Sequence, residues 1–131
     1  MGYKRGRVVL TISLPYLPPK ELSPNSRLYF LDHGKKIAKN MVRDDIHMLV
    51  REQEWKKDPL ESAVVRFKWG LPDKRRRDMD NLLASCKTHL DALVKQGVLV
   101  DDSWQHVELE LGCFYSKGQP QTIIEVMCYT P

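Results

Sequence analysis

At 131 residues, 42% apolar and 29% charged, the chain is long enough to bury the core of one soluble globular domain, read here as spanning residues 1–131, without disulfides or a structural metal. Cys86, Cys113 and Cys128 are odd in number, widely spaced and never C-x-x-C, which argues against a zinc ribbon or a disulfide framework and for reduced thiols in the cytoplasm; no signal-peptide pattern and no apolar run near the roughly 20 residues of a membrane span is present, so no membrane association is expected. The net charge of +4 is modest, but six of the 21 Lys and Arg lie within Arg66–Arg77 against one acid, Asp73, a local footprint suited to a polyanion.

The first pattern is alternation over Arg7–Leu14, with Val8, Leu10, Ile12 and Leu14 on one face, and it predicts a half-buried strand. Pro15, Pro18, Pro19 and Pro24 then bar regular structure to about residue 27 and make a semi-rigid loop that delivers Ser23-Pro-Asn-Ser26. Asn25 reads either as a turn former or as a functional group. From Asp32 to Glu54, Ala38, Val42, Ile46, Leu49 and Val50 recur at helical spacing; Asp32 can cap the start and Pro59 bars continuation. The outer face of that helix carries Lys35, Lys36, Lys39 and Arg43, readable as a solvated face or as a phosphate-contacting surface.

A second strand is predicted over Ala63–Trp69, broken by Gly70-Leu-Pro-Asp73. Lys74-Arg-Arg-Arg77 then occupies a loop before a helix over Asn81–Lys95, whose stripe is Leu82, Leu83, Cys86, Leu90, Leu93 and Val94, with Asp80 as N-cap and Gly97 as the stop. Val107, Leu109, Leu111 and Cys113 predict a third strand and Thr122–Tyr129 a fourth, and the short Ser116–Pro120 link predicts an antiparallel hairpin between them. The order β-α-β-α-β-β makes this an α/β (α+β) domain, a mixed sheet flanked by two helices. Trp104 is expected in the core rather than as a base-stacking platform, and the histidines show no ligand spacing.

Two carboxylates, Asp78 and Asp80, lie two apart where the chain leaves the basic loop for a helix, and Val100-Asp-Asp-Ser103 supplies a second acidic pair. Hard oxygen donors of this kind suit Mg2+ or Mn2+, with Asp102 or its neighbour Asp101 completing the set. Lys87 stands seven residues after Asp80, about two turns along the expected helix; it reads either as a group for the scissile phosphate or as an i, i+4 surface partner of Asp91.

Arg75-Arg-Arg-Asp-Met-Asp-Asn81, Leu90-Asp-Ala-Leu93, Gly97-Val-Leu-Val-Asp-Asp-Ser103 and the Lys117-Gly118 turn together resemble the RusA family of Holliday-junction resolvases, and Leu17–Ser26 resembles the N-terminal Pro/Asn loop of its phage-borne members. The likeness spans nearly the whole chain. It implies a homodimer in a bacterial cell, phage or prophage encoded, that needs magnesium and nicks four-way junction DNA in pairs. Its essential aspartates fall on Asp78, Asp80 and Asp102, and its catalytic lysine on Lys87. In the short form of the family the lysine comes one turn after D-x-D, where this chain has Ala84. Lys74, Arg75, Arg76, Arg77, Asn25 and Lys117 are the expected DNA contacts. The rival readings are a non-catalytic nucleic-acid-binding module and a metal-dependent nuclease for other branched DNA or RNA.

Overall fold

A computed structural model describes residues 4–130. Four strands, β1 (Lys4–Leu14), β2 (Ala63–Leu71), β3 (Val107–Tyr115) and β4 (Gln121–Thr130), form one mixed sheet in the order β1-β4-β2-β3. β4 runs antiparallel to both β1 and β2, whereas β3 runs parallel to β2. Alternation explains the inner face: Leu10, Ile12 and Leu14 from β1, Val65, Phe67 and Trp69 from β2, and Ile124 and Val126 from β4 are all buried. The Phe67 and Trp69 rings, two residues apart on that face, stack with centroids 5.7 Å apart.

Onto this face packs α1 (Asp32–Glu52), through Ala38, Val42, Ile46 and Val50. Its N-cap is Leu31 rather than Asp32, which instead sits in the first turn, where a carboxylate still complements the helix dipole. The helix stops at Glu52, short of the expected Glu54, because the Gln53 side chain turns aside to β1: its amide donates to the Thr11 carbonyl (2.6 Å) and its oxygen accepts from the Thr11 N–H (3.3 Å). The Pro-rich connection holds two short 3-10 turns, Lys20–Leu22 and Arg27–Phe30.

Several sequence expectations change here. β2 runs two residues past Trp69, and Gly70 lies inside it rather than breaking it. A Cβ at Gly70 would meet the Gln121 side chain at 2.7 Å and the Phe114 ring at 3.0 Å, so glycine is what lets the three strands close up there. β3 and β4 are not a hairpin, because β2 lies between them. The 116–120 link crosses the end of β2, tied to it by Ser116 N–H to the Leu71 carbonyl (2.8 Å) and Gly118 N–H to the Pro72 carbonyl (2.9 Å). A short link fixes only how far apart two strand ends are, and two strand spacings of about 4.8 Å are within its reach. β3 is therefore an edge, with Val107 buried but Leu109, Leu111, Phe114 and Tyr115 exposed.

The helix expected over 81–95 is two helices, α2 (Met79–Ala84) and α3 (Lys87–Lys95). At the joint the Ser85 hydroxyl donates back to the Asn81 carbonyl (2.8 Å), and Cys86 is buried. Asp78 occupies the N-cap position without a side-chain capping bond, and Asp80 lies in the first turn. Trp104, expected in the core, is 86% exposed.

Candidate active site

The candidate groups lie on three segments: the basic loop that leaves the end of β2 for α2, the α2–α3 joint, and the 100–106 turn, which precedes β3 and so lies towards the start of β2, where Val107 pairs with Ala63. The loop is organised by its one acid. Arg77 forms a two-pronged contact with Asp73 (2.7 and 3.3 Å), and the Arg75 backbone N–H donates to the same carboxylate (3.1 Å). The Arg77 hydrogen bond leads in holding the Asp73 carboxyl below the usual carboxylate range. Arg77 is accordingly tucked in, its side chain 13% exposed, while Arg76 is 89% exposed with Asp78 as its nearest carboxylate, at 3.5 Å. Lys74 lies over the Tyr115 ring, 5.1 Å from its centroid. Lys117 is exposed in the turn across the end of β2.

Asn25 has a definite partner. Its amide donates to the side-chain oxygen of Asn81, joining the Pro-rich loop to the first helical residues after the acidic pair. Around this contact lies a cleft of about 600 Å3 lined by Lys20, Arg75, Arg76, Arg77, Asp78 and Asn81, among others. A run of prolines holding a polar side chain against D-x-D-N was the signal available in the sequence.

Lys87, first residue of α3, does not continue the helix of Asp80. The break at Ser85-Cys86 starts a new helix, and the two-turn spacing therefore does not set its distance from the acidic pair. Its ammonium lies 3.5 Å from Asp91 and 3.6 Å from Asp102. The i, i+4 contact with Asp91 is present, and the same ammonium also reaches the second acidic pair. Asp91 and then Asp102 raise its pKa, so it is a cation at neutral pH. Asp102 is 24% exposed and faces this ammonium. Asp101 points elsewhere; it is exposed, and its pKa is lowered chiefly by a hydrogen bond from the Asp102 backbone. The adjacent pair is thereby resolved into one carboxylate towards Lys87 and one in the local turn. Cys86 is buried at the α2–α3 joint, and burial pushes its thiol up to about 12.

Among the described residues no three His, Cys, Asp or Glu side chains converge in a group that could hold a metal ion. Asp78 and Asp80 at the start of α2 are not drawn together with Asp102, which is engaged by Lys87. The chemistry of the donors, three hard carboxylates and no thiol, fits a small divalent cation.

Residues 32–127 match the Endodeoxyribonuclease RusA family. Similar curated proteins include the crossover junction endodeoxyribonucleases RusA of Escherichia coli K12, 30% identical over 71% of this chain and 73% of that protein, and of Enterobacteria phage HK97, 34% identical over 68% and 70%. That of Enterobacteria phage 82 is 30% identical over 70% and 72%. The chain belongs to the RusA family of endodeoxyribonucleases. The matched span contains the basic loop, both acidic pairs and Lys87, whereas β1 and Asn25 precede it. No helix among the described residues is long and apolar enough to cross a membrane.

Proposed function

We propose that this protein is a divalent-metal-dependent endodeoxyribonuclease that resolves four-way DNA junctions by paired nicks, acting as a homodimer in the cytoplasm of a bacterial cell and encoded by a phage or prophage. The observation that carries the reading is the placing of Lys87 against Asp102, beside a cleft lined by Arg75, Arg76 and Asp78 in a RusA-family chain. Exposed cations, carboxylates and the Lys87 ammonium thus border adjoining clefts.

In this reading Asp78, Asp80 and Asp102 would hold Mg2+ or Mn2+, which supplies an acidified water and neutralises charge on the phosphate. Arg75 and Arg76, free of tight carboxylate contacts, hold backbone phosphates and orient the strand. Asn25 fixes Asn81 and with it the start of α2. Lys87, on a long exposed stem, swings from Asp102 to the scissile phosphate and stabilises the charge that develops there. Lys74 and Lys117 flank the same loop and add to the field. Paired nicks need two equivalent sites, hence a symmetric pair of chains; β3 is the last strand of the sheet among the described residues, and its exposed Leu109, Leu111 and Tyr115 support a partner.

The test is incubation of the protein with a synthetic four-way junction and a linear duplex, with and without Mg2+. Symmetric paired nicks in the junction alone, only with the ion, are expected. Junction binding without cleavage under any divalent ion would establish the non-catalytic binding module instead, and equal cutting of flaps or RNA would establish the broader nuclease.

A further inference from the structure

We propose that the basic face of α1 is a second track for the DNA backbone, continuous with the candidate site and receiving the strand beyond Lys87. The inference rests on the reading of the substrate as branched DNA and adds a surface to it. Three clefts adjoin in sequence. The one containing Arg75 and Arg76 shares Ser85 with a second, lined by Lys87, Asp91, Lys35 and Lys39. That second cleft shares Lys35 and Lys39 with a third, which adds Lys36 and Arg43. Lys87 thus sits in the middle member, with a basic lobe on either side.

The α1 face is not arranged as an ordinary solvated face. Lys35, Lys39 and Arg43 follow one another at i+4, the spacing at which like charges repel and weaken a helix, whereas salt-bridged surface helices alternate their signs. Among the described residues Lys36 and Lys39 make no ion pair, unlike Arg66, Lys68 and Arg77. Lys35 is held in place, its ammonium 3.3 Å from the centroid of the Tyr29 ring, another wall of the middle cleft. From Lys35 to Arg43 the helix rises about 12 Å, which matches three to four base steps of a DNA strand at roughly 3.4 Å each. Asp32 is the one acid among the residues lining the third cleft, and the repulsion that remains among the cations beyond it, on a wall shared with Lys87, is what a polyanion would relieve.

The experiment uses the full chain with Lys36→Gln and Lys39→Gln combined, leaving Lys35 to Tyr29 and Arg43 to its partly buried position. Binding to a fluorescent four-way junction is followed by anisotropy across a salt series without divalent ion, next to wild type and a Lys56→Gln/Lys57→Gln control on the exposed loop before β2. The α1 variant is expected to bind more weakly at low salt. Its plot of log affinity against log salt should be shallower by about 2, near 0.9 for each phosphate no longer neutralised. Its melting temperature should hold or rise, since two repelling charges are gone. A slope equal to wild type, or an equal change in the loop control, overturns the α1 track while leaving the nuclease reading intact if wild type still cuts junctions. A wild type that neither binds nor cuts a junction overturns that reading and the track with it.

Discussion

The cations between Arg66 and Arg77 look like one cluster in sequence and are two populations in space. On β2, Arg66 lies opposite Glu110 of β3 and Glu125 of β4 in the strand register, and its guanidinium meets both carboxylates, at 2.9 and 3.2 Å. Lys68 reaches the same Glu125, at 3.2 Å. Those charges are answered by neighbouring strands on the outer face of the sheet. Beyond the end of β2 only Arg77 is comparably engaged, by Asp73, while Arg76 stands in solvent. A count of charges along the chain therefore overstates what a ligand can use. A central strand recruits counter-charges from both sides, whereas a loop leaves its side chains free for one.

The sharpest way to break this division is at Asp102. If it belongs with the free groups, Asp102→Asn should fold with an unchanged melting temperature and lose cleavage by about a hundredfold or more, a transition-state loss of about 2.7 kcal/mol. Asp80→Asn and Asp78→Asn should do the same, and Asp101→Asn should be milder because its carboxylate serves the local turn. Rates on a junction substrate and thermal melts decide it. A variant that unfolds while wild type shows no metal-dependent cleavage would move Asp102 among the structural charges, beside Arg66.

His89 tests the buried side of the comparison. It is fully buried, neither ring nitrogen has a hydrogen-bond partner among the described residues, and burial lowers its pKa to about 4. The folded value lies below the ordinary one near 6.5. The folded state therefore binds fewer protons, and stability present above about pH 6.5 is lost as pH falls towards the folded value, by up to roughly 3 kcal/mol. His89→Leu should be close to neutral or stabilising at pH 7.5 and should remove this component. Urea midpoints at pH 7.5 and 4.5 measure it; an identical pH loss in variant and wild type would show that other groups cause it.

Much of the fold was readable because it depends on local patterns. Alternation marked β1, β2 and β3, and the i+4 recurrence of Ala38, Val42, Ile46 and Val50 marked α1. The acidic pairs and the family were readable as motifs. What failed was non-local. The hairpin expectation missed that β2 would insert between β3 and β4, since pairing is decided by the whole sheet. The 81–95 stripe is continuous in sequence, but the Ser85 hydroxyl competes for a backbone carbonyl and the helix breaks there. Trp104 is large and apolar yet lies on the 103–106 turn, with no layer above it. Asp73 read as a lone acid, and its role in fixing Arg77 depends on loop geometry.

Lys87 is the next lever. Lys87→Ala should lower turnover more than about tenfold with junction affinity and melting temperature near wild type, because the side chain is 75% exposed and its contacts with Asp91 and Asp102 are screened by solvent. Single-turnover cleavage and anisotropy separate the two effects. Full activity would return Lys87 to a surface pair and place the phosphate elsewhere, with Lys117 the next cation to test.

The smallest effect, and the most direct test of the two populations, compares adjacent arginines. Arg76→Ala removes an exposed cation whose nearest carboxylate is 3.5 Å away, so the melting temperature should stay put while the salt slope of DNA binding falls by about 1, the share of a single phosphate. Arg77→Ala should do the reverse, lowering the melting temperature by releasing Asp73 and changing the slope less. The pH dependence of that deficit has a definite sign. Asp73 is held below its ordinary pKa by Arg77, so the pair stabilises above the unfolded carboxylate value and fades as pH falls through the folded one. Wild type and Arg77→Ala should therefore converge in stability on acidification from neutral pH, and Arg76→Ala should track wild type throughout. Equal slope losses for the two arginines, with equal melting temperatures, would show that Asp73 releases Arg77 to the DNA and that the loop acts as a single basic arm.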